Sequence, residues 1–146
     1  MNDLEKSVVA VVDAYARAVL AKNVDAFMQL YDLNVRVFDT WGTWSYDGAG
    51  AWRNMIEGWL GSLGDGRVRV TVDDLRVIAS EEVSTASGFF TYAEISADGQ
   101  EMHSLQNRLT WVLRRKGDGW SIVHEHTSAP IDFEKGTAIL SREKTV

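Results

Sequence analysis

The chain has 146 residues, 45% of them hydrophobic and 25% charged, which suits one self-contained domain that buries about 70% of the surface its unfolded form exposes. Its net charge of −6 repels phosphate backbones and anionic lipid heads, so neither nucleic acid nor a membrane is expected as a partner. The absence of cysteine rules out disulfides and thiolate metal sites, and no run approaches the ~20 uncharged residues that crossing a bilayer takes.

Val8, Val11, Val12, Tyr15, Val19 and Leu20 recur every three or four residues and predict a helix over residues 3–21, with Tyr15 on its buried stripe. The segment from Leu4 to Ala21 is apolar, but Asp13 and Arg17 interrupt it and no basic leader precedes it, so a cytoplasmic protein is expected. Asn23 is suited to cap a short second helix with Phe27, Leu30 and Tyr31 facing inward, and the chain turns at Asp32 to Asn34. Val35-Arg36-Val37-Phe38-Asp39 then reads as a strand. Its alternation puts Asp39 on the face of Val35 and Val37. An aromatic loop (Trp41, Trp44, Tyr46) ends at Gly48, and a third helix carries Trp52, Ile56, Trp59, Leu60 and Leu63 on one stripe until Gly64-Asp65-Gly66 stops it.

From Arg67 onward the helix signals vanish. Four β segments follow, Val68 to Ala79, Ser84 to Ser96, Met102 to Arg115 and Trp120 to Ala129, with turns at Asp98-Gly99 and Gly117-Asp118-Gly119. The order predicts an α+β domain: three N-terminal helices covering a cone-shaped, curved antiparallel sheet, with a pocket between them. Pro130 ends the last strand, giving a single domain over residues 1–133 and a loosely held polar tail over 134–146.

These elements and the last hairpin carry a resemblance. Arg108-Leu109-Thr110, followed by Asp118-Gly119-Trp120-Ser121-Ile122-Val123-His124-Glu125-His126-Thr127-Ser128, is similar to the "R-x-T … DG-x-W-x-I-V-H-x-H-x-S" ending of the SnoaL-like and kinase-association branches of the nuclear transport factor 2-like superfamily. Tyr15 and Asp39 fall where the ketosteroid isomerases of that superfamily carry a phenol and a base. The resemblance implies that Asp39 shuttles a proton while Tyr15 hydrogen-bonds a developing enolate. The third isomerase group, a protonated acid on a later strand, has no clear counterpart, since Asn107 or Thr110 stands in that region.

Each candidate also has a plainer reading. An Asp39 carboxylate among valines would be desolvated and its pKa raised toward acid–base use, but an aspartate at a strand end also caps turns. His124 and His126, two apart, share the parity of Trp120 and Ile122 and are read into the pocket wall, without the spacing of a metal pair. Arg108 lies opposite Thr127 if the hairpin loop has two or four residues and opposite His126 if it has three; the resemblance turns it inward, where it would bind a carboxylate or enolate oxygen. Trp41 and Trp44 are read as the pocket mouth, favouring a ring-shaped ligand, with Trp59, His124 and Asn107 in its wall. Glu94, Glu101, Glu125 and Arg114-Arg115-Lys116 are read as solvated sheet edges or interface charges.

The expectation is a pocket protein for a small hydrophobic or aromatic carbonyl or carboxylate compound, performing cofactor-free proton transfer with Asp39 as base or acid and His126, Arg108 and Tyr15 stabilising the oxyanion, with no metal or nucleotide. The rival is a non-catalytic binding or assembly module; Asp39 locked to Arg108, or a pocket filled by tryptophans, would favour it. A homodimer is expected either way, because Leu109, Trp111 and Leu113 alternate with Thr110, Val112 and Arg114 and leave apolar residues on both faces of one strand.

Overall fold

Asn2 begins the first helix by accepting the Glu5 N–H while the Glu5 carboxylate reaches back to the Asn2 N–H, a reciprocal cap that satisfies two otherwise orphaned donors. In the computed structural model, which describes residues 1–142, this helix α1 runs Asp3–Leu20 and buries Val8, Val11, Val12, Tyr15 and Val19. Asn23 caps α2 (Val24–Met28) through the Ala26 N–H. Helix α3 (Ala49–Gly61) follows Gly48, whose φ of +91° belongs to the region that only glycine enters freely, and buries Trp52, Ile56 and Leu60.

Six strands form one sheet: β1 (Tyr31–Phe38), β2 (Tyr46–Asp47), β3 (Arg67–Ile78), β4 (Val83–Ile95), β5 (Glu101–Lys116) and β6 (Gly119–Ser128), in the order β2-β1-β6-β5-β4-β3. The β3-to-β6 meander is antiparallel as the turn residues predict, but β1 joins β6 in parallel, so the sheet is mixed. Tyr31, expected on the second helix, instead opens β1 and remains buried. Helix α1 packs mainly on β3 and α3 on β1, closing the concave face of the curled sheet.

Two irregularities shape that face. In β3 one extra residue is accommodated between Asp73 and Arg76, where Asp74 takes φ +51°; the partner strand carries Gly88 there, whose hypothetical Cβ would stand 3.0 Å from Val72 Cγ1. In β6, Leu113 pairs with Ile122 but Val112 pairs with His124, so Val123 is an extra residue opposite none. The core gathers Tyr15, Phe27, Phe90, Leu109, Trp111, Leu113 and Ile122 between helices and sheet.

The end of the chain is not loose over its described part. The Gln106 N–H donates to Leu140 O at 2.7 Å, Arg142 N donates to Gln106 Oε1, and Ile131 bridges Ala138, so residues 131–142 are tied to β5 where β6 has ended.

Candidate functional site

A cavity of about 540 Å³ lies between α1, α3 and the concave sheet face, within the range of small-molecule sites. Its wall is mostly aromatic and aliphatic, including Tyr15, Trp41, Tyr46, Trp52, Ile56, Trp59 and Tyr92. Polar groups enter from Asp39, Glu94, His103, Asn107, Glu125 and Thr127. Among the described residues no lysine or arginine lines it.

The β6 bulge decides which side chains reach this cavity. Up to Ile122 the alternation buries Trp120 and Ile122; past Val123 it exchanges parity and buries Glu125 and Thr127. His124 and His126, read as pocket residues, therefore stand on the opposite face. There His124 Nδ1 lies 2.7 Å from Arg36 O, and both rings pack edge-on against Phe38. The same shift, after a two-residue loop, sets Arg108 opposite Ser128, a register outside both expected ones. Arg108 is exposed and its Nε donates to Ser128 Oγ at 3.0 Å, so it cannot meet a ligand in this cavity. Trp44 is 96% exposed and takes no part in the mouth, whereas Trp41, Trp59 and Asn107 do line the cavity.

Asp39 does reach it. The strand alternation that buries Val35 and Val37 carries the half-buried carboxyl inward, where Thr127 Oγ1 donates to Oδ1 at 3.0 Å. Thr127 is itself fixed, accepting from Thr40 N at 2.8 Å and from Thr40 Oγ1 at 3.0 Å. Desolvation pushes the Asp39 pKa up; the Thr127 hydroxyl and the Trp41 and Thr40 N–H groups offset part of that.

Glu125, read as a solvated charge, is 2% exposed and lies at the bottom of the site. Its Oε1 accepts from Tyr31 OH at 2.5 Å and from Trp111 Nε1 at 2.8 Å. Burial raises its pKa from 4.5 to about 7 against the pull of those two donors, with the Asp39 charge adding to the rise. Tyr15 OH and Tyr92 OH lie 2.9 Å apart, and burial raises both phenols, Tyr15 well above 10. Asn107 Oδ1 and Trp52 Nε1, both buried at the cavity, have no hydrogen-bond partner among the described residues. At the rim, His103 Nε2 meets Glu94 Oε2 at 2.9 Å.

The residues the sequence reading passed over are Glu125, Thr127, Tyr92 and Tyr31. Tyr92 was within reach, since it continues the inward alternation Ser84, Ala86, Gly88, Phe90 of β4. Nothing in the sequence marks Val123 as a bulge, so Glu125 and Thr127 carried no signal.

This arrangement defines a class: an α+β cone whose hollow presents two carboxyls of raised pKa and a pair of phenols within an aromatic wall. The chain belongs to the SnoaL-like domain family, whose model matches residues 8–132. Among solved structures it is similar to a nuclear transport factor 2-like protein of unknown function from Pseudomonas putida KT2440, at 23% identity over 96% of each chain with a TM-score of 0.85. It is also similar to a proposed calcium/calmodulin-dependent protein kinase II association domain from Xanthomonas campestris (19% identity, 86% of each chain, TM-score 0.72). A third likeness is to a proposed dehydratase of the same superfamily from Streptomyces avermitilis (16% identity, 88% of this chain and 96% of that one, TM-score 0.71). At these identities the likeness establishes the fold. No curated protein matches the chain by sequence. Among the described residues no helix is long and apolar enough to cross a membrane.

Proposed function

We propose that this chain is a cofactor-free acid–base enzyme, of isomerase, cyclase or dehydratase type, acting on a small hydrophobic carbonyl compound. The observation that carries the reading is Asp39: a carboxyl at an apolar cavity, held by a threonine hydroxyl and two backbone N–H groups, with no cation beside it among the described residues. Such a group keeps its basicity for a substrate C–H instead of spending it on a salt bridge. Tyr15 and Tyr92 share one hydrogen bond, which leaves one hydroxyl hydrogen free for the oxygen of an enolate as charge develops there. Glu125, with a pKa of about 7, supplies a second acid beside them when protonated.

This assignment replaces His126 and Arg108 in the oxyanion role. With Arg108 outside, nothing in the cavity would pair a ligand carboxylate, so of the two substrate classes the carbonyl is retained. The rival module reading loses its two expected signs: Asp39 makes no ion pair with Arg108, and the tryptophans line the cavity without filling it. The Streptomyces avermitilis neighbour, a proposed dehydratase, fits the same class of chemistry. We also infer a homodimer formed through the outer sheet face, where Phe38 and Val112 are half-buried and Ile78 is 74% exposed. Light scattering at micromolar concentration should find twice the chain mass, and a monomer there contradicts the inference.

The test is α-proton exchange. Ring ketones incubated with the protein in D2O should lose α-hydrogen signal in proton NMR, and Asp39→Asn should slow that loss by about 10²–10⁴-fold while circular dichroism stays unchanged. Equal rates for the folded variant and wild type, or no exchange above solvent for any ring ketone, would reject the assignment.

A further inference from the structure

The charge balance inside the cavity narrows the substrate beyond the class proposed above, and the argument rests on that pocket reading. Asp39, Glu94 and Glu125 all face the cavity; among the described residues the one side chain there able to carry a positive charge, His103, is already paired with Glu94 at the rim. Within the hollow, the carboxyls have no lysine or arginine to balance them among the described residues. Glu125 receives both its side-chain donors on Oε1, leaving Oε2 without one, whereas Asp39 is already met by the Thr127 hydroxyl and the Trp41 and Thr40 N–H groups. The β1–β6 register sets these carboxyls close: Glu125 lies beside Val37, and Asp39 follows Val37 by two residues on the same face. The walls are aromatic faces without a cation. Among the described residues the cation–π contacts are Arg36 on Phe38, Arg115 on Trp120 and Arg142 on Phe89, none of them on a cavity ring.

We propose that the ligand of this cavity carries a protonated amine on its apolar body, the ammonium lying against Glu125 Oε2 and the tryptophan and tyrosine faces; Asp39 stays free for the C–H, and Glu125, ionised in that complex, leaves the enolate to the Tyr15–Tyr92 pair. A primary ammonium brings three donors and one positive charge to a place rich in acceptors and carboxyls. A cation over indole or phenol faces is attracted further once water is excluded. The substrate is therefore an amino-carbonyl compound rather than a keto acid.

Three probes of one shape separate the possibilities: 2-phenylethylamine, 2-phenylethanol and 3-phenylpropanoate, titrated into the full chain by calorimetry at neutral pH. The amine should bind about tenfold or more tightly than the alcohol, and the carboxylate should give no heat of binding. Glu125→Gln should weaken the amine without weakening the alcohol. If that variant does not fold by circular dichroism, wild-type amine affinity is read against pH and should rise as Glu125 ionises through about 7; a flat profile overturns the inference. Alcohol or carboxylate binding as tightly as the amine, or amine affinity unchanged in a folded variant, overturns the inference, as does wild-type protein that fails to bind the amine at millimolar concentration. These outcomes are separable from failure of the catalytic reading: amine preference without α-proton exchange removes only the enzyme, and exchange on neutral ketones without amine preference removes only the amine.

Discussion

Asp39 and Glu125 are neighbours on adjacent strands that meet opposite local conditions. Asp39 keeps partial access to water and a hydroxyl donor, whereas Glu125 is more deeply buried at the cavity and held by a phenol and an indole. Raising the folded pKa of Glu125 from 4.5 to about 7 means that the folded chain binds a proton more tightly than the unfolded one. Its contribution to stability is therefore full below 4.5 and is lost as pH rises through about 7; the raised Asp39 pKa acts in the same direction. We predict that the unfolding temperature of wild type falls relative to that of Glu125→Gln between about pH 5 and about pH 8, as read by thermal denaturation. Parallel curves for the two proteins would show that Glu125 titrates normally. Thr127→Val should cost about 1–3 kcal/mol in chemical denaturation, because it strips Asp39 of its donor and Thr40 of its acceptor in a partly buried place. A loss near zero would mean that the hydroxyl is idle.

Strand β6 shows why the elements were readable and the site was not. Helix stripes such as Val8, Val12, Tyr15 and Val19, and turn residues such as Gly99 and Gly117, act locally, so the sequence carries them. Asp39 and Tyr15 followed from strand and helix periodicity and do reach the cavity. The side of β6 that faces inward depends instead on one bulged residue, Val123, selected by how the strand fits β5 and β1 together, and no composition marks it. One slip in register exchanged His124 and His126 for Glu125 and Thr127, and the same slip carried Arg108 away from the expected pairings. Tyr31 was lost differently: it follows a helical run closely enough to read as its continuation, yet it pairs with Ile122. Deleting Val123 should restore regular alternation, drive His124 and His126 toward the core and cost more than about 4 kcal/mol in chemical denaturation. His126→Ala should change stability by under about 0.5 kcal/mol. Similar losses from both changes would contradict the bulge.

At the scale of the whole molecule, three helices close a curled sheet over an aromatic hollow without filling it, and the lysines and arginines among the described residues are kept outside. Arg36, Arg108, Arg115 and Arg142 stack on rings or bond at the outer face and edges, leaving the cavity carboxyls uncompensated. The proposed proton transfer and the proposed selection of the ligand by charge both rest on that separation. Carbon-13 NMR titration of the aspartate and glutamate carboxyls tests it most directly. The account predicts two carboxyl resonances, removed one each by Asp39→Asn and Glu125→Gln, that titrate above the ordinary carboxylate range, Glu125 near 7. Both resonances titrating at or below ordinary values would show them solvated or paired with a cation, and would contradict the account.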